Sequence, residues 1–170
     1  MTVQQGRRTH QHNGEVVVFV LGTRVNRWSA VRAWSAVVGA MPRMLAELSR
    51  ERARGMLHQS TSVGRHGPVV TTYWRSVPEL LAYAHDSDGE HRPAWRAFNA
   101  AARRRPGAVG IWHETFVVPA GGHESIYSDM PLIGLAAATR SVPVTGATDR
   151  ADQRFSSRGA ARRSGGPLPG

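Results

Sequence analysis

Alternating apolar and polar positions predict four strands, and steps of three and four predict the helices between them. The strands are Glu15–Gly22, Met56–Val63, Val69–Arg75 and Ala108–Pro119. A long helix is expected from Ser29 to Gly55, interrupted at Pro42 because proline removes a helical hydrogen bond and clashes with the preceding turn. After the third strand, the chain is expected to form a helix, break at Asp86–Gly89, and resume as a helix at Glu90.

Residues 73–96, YWRSVPELLAYAHDSDGEHRPAWR, connect the third strand to the second helical region. Ser76 and Glu79 have the spacing of a capping box, in which serine and glutamate satisfy backbone N–H groups at the helix start. Pro78 fits the first turn, where an N–H group has no helical partner. We therefore expect a helix that begins just after Ser76.

The resulting order, β-α-β-β-α-β, predicts an α+β fold of the ferredoxin-like type: an antiparallel sheet with both helices on one face. The first strand, EVVVFVLG, has apolar residues at both odd and even positions, which is typical of a strand buried on both sides. The fourth strand repeats this pattern, since Ile111 and Val117 alternate with Trp112, Phe116 and Val118. The face opposite the helices is therefore expected to pack against a second copy of the chain, giving a homodimeric α/β barrel.

The ends of the chain have no such periodicity. Residues 1–14 are polar, and residues 139–170 are rich in Gly, Ser, Pro and Arg, a composition typical of disordered segments. We therefore expect one domain over residues 15–138 between two disordered tails. His123–Asp129 is interpreted as a short extra strand, and Met130–Leu135 as an irregular apolar segment.

Composition narrows the function classes. There is no cysteine, so disulfides, thiolate metal sites and a cysteine nucleophile are excluded. The net charge is +10, yet residues 15–135 carry 14 arginines against 10 acids, and the remaining excess lies in the predicted tails. Nucleic-acid binding concentrates charge on a folded face, so no nucleic-acid partner is expected. Without an apolar run or a signal-peptide pattern, we expect no membrane association and a cytoplasmic location.

The segments TYWRS, EHRPAW, GIWHETFVVPAG and YSDMP-LIGLAAA resemble an uncharacterised group, the "monooxygenase family" proteins, of the dimeric α/β-barrel superfamily. The resemblance covers residues 15–138. That superfamily includes cofactor-independent quinone-forming monooxygenases, haem-dependent enzymes such as aldoxime dehydratases, lactone isomerases and ligand-binding proteins. The resemblance implies the fold and a homodimer, and a shared fold leaves the reaction open.

Two histidines are candidate catalytic residues. His91 shares a predicted helical face with Trp95 and Phe98, and is either a base or haem ligand in a pocket or a polar residue of the first turn. His113 is either a base inside the barrel or a core histidine bonded to a hydroxyl such as that of Thr115.

The candidate substrate-binding residues are aromatic, with one arginine that either orients an anionic or carbonyl group or lies at the surface. They are Tyr73, Arg75, Trp95, Phe98 and Trp112. No metal-binding spacing occurs among the histidines, so no metal is predicted.

Three functions remain open. The first is a monooxygenase-like oxidoreductase that acts, without a predicted cofactor, on an apolar or aromatic small molecule held between helices and sheet. The second is a haem-binding protein or haem-dependent enzyme with a histidine ligand. The third is a non-catalytic, dimeric ligand-binding module.

Overall fold

The computed structural model describes residues 2–32, 34–35, 39, 46, 54–86 and 91–159 of the 170-residue chain, with the backbone alone for residues 91–95, 97, 101 and 156–159. Its strands are β1 (Val3–His10), β2 (Val16–Val25), β3 (Met56–Gly64), β4 (Gly67–Trp74), β5 (Val109–Val118), β6 (Tyr127–Pro131) and β7 (Ser141–Pro143). Its helices are α1 (Val77–His85), α2 (His91–Arg104), α3 (Gly134–Ala138) and α4 (Ala151–Gly159), with a 3₁₀ turn at Gly146–Thr148.

The chain divides into two compact units. The sheet unit comprises residues 18–116, and the terminal unit comprises residues 1–17 together with 117–170. The prediction of a single domain flanked by tails is therefore replaced by two units, one of which is built from both ends of the chain.

The sheet unit contains a four-stranded sheet in the order β3-β4-β2-β5. This is the order of a split βαβ, ferredoxin-like sheet, in which the first and third strands of the motif lie at the centre. The predicted fold class is confirmed. The first two residues of β2, Val16 and Val17, are assigned to the terminal unit, and both are fully buried, as expected for a strand segment that is apolar on both sides.

The first predicted helix can be followed only in part. Residues 31–32, 34–35, 39 and 46 are helical, whereas Pro42 and its expected kink lie outside the described residues. Helix α1 begins as predicted, because the Ser76 hydroxyl accepts a hydrogen bond from the backbone N–H of Glu79 at 3.4 Å. The cap satisfies one of the N–H groups that a helix start leaves without a partner.

The terminal unit corrects the prediction of disordered ends. Polar β1 is the central strand of a three-stranded sheet in the order β6-β1-β7, antiparallel to both neighbours. Residues 139–159, also expected to be disordered, contain β7, the 3₁₀ turn and α4, while residues 160–170 lie outside the described part. The segment predicted to be irregular, Met130–Leu135, contains the end of β6 and the start of α3.

One buried arginine connects these late elements. Arg154 of α4 forms an ion pair with Glu124 and donates to the carbonyl oxygens of Thr148 and Asp149, the latter at 2.7 Å. A buried guanidinium needs several acceptors to offset its lost hydration. Arg154 therefore fixes α4 and the 3₁₀ turn to the loop before β6.

The β3–β4 hairpin ends in a tight pair, Gly64 opposite Gly67. Gly67 has φ +117°, and a Cβ atom there would lie 2.2 Å from the backbone oxygen of Thr23. A side chain at position 67 is therefore excluded both by backbone conformation and by the neighbouring strand.

We expect Gly67→Ala to lower the free energy of unfolding by about 2–4 kcal/mol, because strain and overpacking add. Chemical denaturation monitored by circular dichroism measures the change. Gly64→Ala is the matched control: the space around Gly64 is unoccupied, so a change below about 0.5 kcal/mol is expected. Equal effects of the two substitutions would contradict this explanation.

Candidate functional site

The four-stranded sheet has one face packed by helices, and contacts identify which side chains point there. Trp74 is fully buried, and its ring lies 5.5 Å from that of Tyr83 on α1. Because side chains alternate along a strand, Thr72 lies on this helical face with Trp74, whereas Tyr73 lies on the opposite face. We call the two sides the helical face and the second face.

His113 lies on the helical face of β5. Its neighbour two residues earlier, Ile111, packs with Phe98 of α2 against the cluster of Ala30, Ala108 and Val109. The His113 ring contacts the ring of Phe19 on β2, with centroids 5.5 Å apart. An imidazole is thereby placed beside an apolar cluster at the edge strand of the sheet.

His113 is exposed to solvent, and within the described residues its ring makes no hydrogen bond. The alternative of a core histidine bonded to Thr115 is therefore wrong. Glu114 lies on the second face, as alternation predicts. The ring of His113 is thus accessible from solvent on the helical face.

Trp112 is held on the second face by a close approach of two strands. Its indole lies so near Gly22 of β2 that a Cβ atom there would be 2.3 Å from the indole Nε1. On the same face, the Tyr73 ring lies 6.2 Å from that of His58 on β3. Of the predicted substrate-binding residues, Tyr73 and Trp112 therefore share a face that His113 and Phe98 do not.

The remaining predicted residues are distributed as follows. Arg75 follows β4 and forms an ion pair with Glu79, with Nη2 and Oε1 2.8 Å apart. His91 and Trp95 are on α2, but their side chains lie outside the described residues. A shallow depression in the sheet unit contains none of the predicted site residues; its lining is Arg54, Glu79, Ala82, Tyr83, His85 and Asp86.

The terminal unit contains a buried histidine pair that the sequence did not predict. His10 Nε2 and His123 Nδ1 are 2.7 Å apart, and both residues are buried. His10 Nδ1 is 2.7 Å from Ser125 Oγ, and His123 Nε2 is 2.9 Å from the carbonyl oxygen of Gly14. We call Ser125, His10, His123 and Gly14 the histidine chain.

The chemistry of the terminal acceptor fixes the direction of these hydrogen bonds. A carbonyl oxygen can only accept, so His123 carries its proton on Nε2 and, when neutral, accepts at Nδ1. His10 then donates from Nε2 and accepts at Nδ1, and the Ser125 hydroxyl must donate to it. Each polar atom of this buried chain has a partner, which is the condition under which burial of polar groups is tolerated.

Sequence spacing gave no signal for this chain because His10 and His123 are 113 residues apart. One weak signal exists, in that each histidine has a hydroxyl residue close by in sequence: Thr9 precedes His10, and Ser125 lies two residues after His123. Within the described part of the chain, no cluster of three or more histidine or carboxylate side chains could hold a metal ion. No helix among the described residues is long and apolar enough to cross a membrane.

Strand order and the two faces define an α+β protein of the ferredoxin-like class with an additional terminal unit. A family model described as "Monooxygenase af470-like" matches residues 16–135. This is well over half of the chain, which therefore belongs to the Monooxygenase af470-like family.

Monooxygenase af470 of Aspergillus fumigatus is 34% identical over 59 residues, which cover 35% of this chain and only 20% of the fungal protein. Among solved structures, SnoaB, a cofactor-independent oxygenase from Streptomyces nogalater, is 16% identical with a TM-score of 0.42, covering 60% of this chain and 91% of its own. A dimeric ferredoxin-like protein of unknown function from Jannaschia sp. CCS1 is 15% identical with a TM-score of 0.42, covering 58% and 97% of the two chains.

We expect His123→Phe to lower the free energy of unfolding by about 1–3 kcal/mol. The substitution leaves the buried His10 Nε2–H group and the Gly14 carbonyl without the partner they have in the native protein. Chemical denaturation provides the measurement. His12→Phe is the matched control from the same unit: the ring of His12 lies 5.7 Å from that of His123, but its hydrogen bond, to the Glu15 carbonyl, is exposed. An unchanged stability of His123→Phe would show that the chain contributes little.

Proposed function

We propose that this protein is a monooxygenase-like oxidoreductase that acts on an apolar or aromatic small molecule at the helical face, with His113 as the proton acceptor. Family membership supports the reaction class. The assignment of His113 is supported by its exposed imidazole, which makes no hydrogen bond in the described residues and lies 5.5 Å from the ring of Phe19.

The chemistry of such a site needs only an acidic C–H group on the substrate. Removal of a proton from an aromatic CH₂ group by His113 gives a carbanion, which can donate electrons to O₂. Oxidation of CH₂ to C=O consumes one O₂ and releases one H₂O, and the substrate supplies all four electrons. A bound aromatic molecule that covers His113 and Phe19 would favour this step, because it would exclude water from the reactive intermediate.

Substitution of His113 tests the proposal. With a panel of polycyclic hydroxyaromatic compounds bearing a CH₂ group, we expect O₂ uptake and ¹⁸O incorporation by the native protein. His113→Ala should lower the turnover number about 10²–10⁴-fold, the contribution typical of a general base. His66→Gln, at the β3–β4 turn, is the control and should retain turnover. A folded His113→Ala variant with native turnover would remove this residue from the mechanism.

Haem binding is the competing outcome. Expression with supplied haem followed by absorption spectroscopy distinguishes the two functions, because a bound haem gives a Soret band. A band that is lost in His113→Ala would replace the proposed base by a haem ligand. The oxidoreductase proposal requires turnover by protein that shows no such band.

We also propose that the protein is a homodimer in which the second faces of two sheets pack together. Trp112 is 40% exposed and Phe116 is 51% exposed on that face. Large apolar side chains that share one exposed face of a sheet are typical of an interface. A homodimer would bury both rings of each copy.

Phe116→Glu should convert the dimer to a monomer, because it would place two carboxylates in an apolar interface. Sedimentation equilibrium at micromolar concentration measures the mass. Val63→Glu is the matched control, because Val63 is highly exposed at the end of β3. A monomeric native protein, or a Phe116→Glu variant that stays dimeric, would contradict the proposed interface.

A further inference from the structure

The histidine chain combines a serine, a buried imidazole and a second imidazole that orients the first. The Ser125 hydroxyl donates to His10 Nδ1 at 2.7 Å, and His10 donates from Nε2 to His123 at 2.7 Å. Activated serine sites have this arrangement: the nucleophile is hydrogen-bonded to a base, and a third group orients the base. None of these residues belongs to the site proposed on the four-stranded sheet.

The position of the serine oxygen is fixed from several directions. The backbone N–H of His10 donates to Ser125 Oγ at 3.2 Å, and the Thr9 hydroxyl donates to the Ser125 carbonyl at 2.7 Å. The hydroxyl proton is thereby directed at His10, while one lone pair of the oxygen accepts from the backbone. Such preorganisation reduces the entropy lost when a reactive group must adopt one geometry.

The base is prepared for a positive charge. His10 is fully buried, where an isolated imidazolium would be costly. When His10 takes the serine proton at Nδ1, however, its Nε2–H group already donates to His123, and His123 is anchored at the Gly14 carbonyl. The second imidazole and the carbonyl dipole stabilise the cation without any rearrangement.

Ser125 differs from the two histidines in that it retains partial exposure, whereas His10 and His123 are 0% and 5% exposed. Of the three residues that contribute side chains to the histidine chain, Ser125 is therefore the one that solvent reaches. Partial exposure gives an electrophile a route to this residue, and burial of the histidines keeps water from competing for the base.

We propose that Ser125 is a base-activated nucleophile that takes the acyl group of a carboxylic ester, with His10 as general base and His123 as a positioning residue. Oγ forms a bond to the carbonyl carbon, the bond from that carbon to the leaving alkoxide breaks, and the proton passes from Oγ through His10 to the alkoxide. Water then attacks the acyl group by the same path, releasing the carboxylic acid and restoring the serine.

An alkyl fluorophosphonate tests the nucleophile directly, since its reaction forms an Oγ–P bond and releases fluoride. The native full-length protein is treated with the probe, and peptide mass spectrometry gives the rate of modification at each serine. We expect Ser125 to react at least about 100-fold faster than Ser128, the exposed serine of β6 in the same unit. Urea denaturation should remove the difference.

Variants provide a second measurement. Ser125→Ala should abolish the adduct, and Ser128→Ala should leave it unchanged. His10→Gln, if its circular dichroism spectrum is native, should lower the rate of adduct formation about 100-fold. The comparison of Ser125 with Ser128 within the native protein needs no variant, so it remains decisive even if His10→Gln does not fold. Similar rates at the two serines would overturn the proposal and leave the histidine chain a structural network.

Discussion

The sheet unit depends on a constraint of strand geometry: side chains alternate, so each apolar strand that is used on both sides must be covered on both sides. On the helical face, Trp74 packs on Tyr83, and Ile111 and Phe98 both pack against the cluster around Ala108. On the second face, Trp112 lies against Gly22, where no side chain would fit. Because the same strand, β5, supplies both faces, any chemistry at His113 is separated by the sheet from any interface made by Trp112.

Local patterns predicted the elements of this unit well, because each is determined by nearby residues. The Ser76 cap, the alternation in β2 and β5, and the glycines around the β3–β4 turn all act over a few positions. The terminal unit was not predicted, because its contacts join residues that are far apart in the sequence. The polar strand β1 is stabilised by β6 and β7, more than 100 residues away, and by contacts such as the one between the Gly6 N–H and Asp129, 2.8 Å long. Composition alone made it resemble a disordered tail.

The candidate site was predicted to a smaller extent, and alternation explains why. Alternation along a strand places Tyr73 and Trp74 on opposite faces of the sheet, and likewise Trp112 and His113. It does not show which of the two faces the helices cover. Only contacts with Tyr83 and Phe98 supply that information. An aromatic side chain on an apolar strand suits a pocket wall and an interface equally well, so Tyr73 and Trp112 were grouped with residues that the sheet separates from them.

The two histidine environments suit different kinds of proton transfer. His113 is exposed, its ring lies 5.5 Å from that of Phe19, and it makes no hydrogen bond among the described residues. His10 is buried, and both of its ring nitrogens have partners, Ser125 Oγ and His123 Nδ1. A base of the first kind suits substrates that bring their own acidity, such as an aromatic CH₂ group. A base of the second kind acts on a hydroxyl of the protein itself. The two proposals therefore rest on different settings of an imidazole, one exposed in the sheet unit and one buried in the terminal unit.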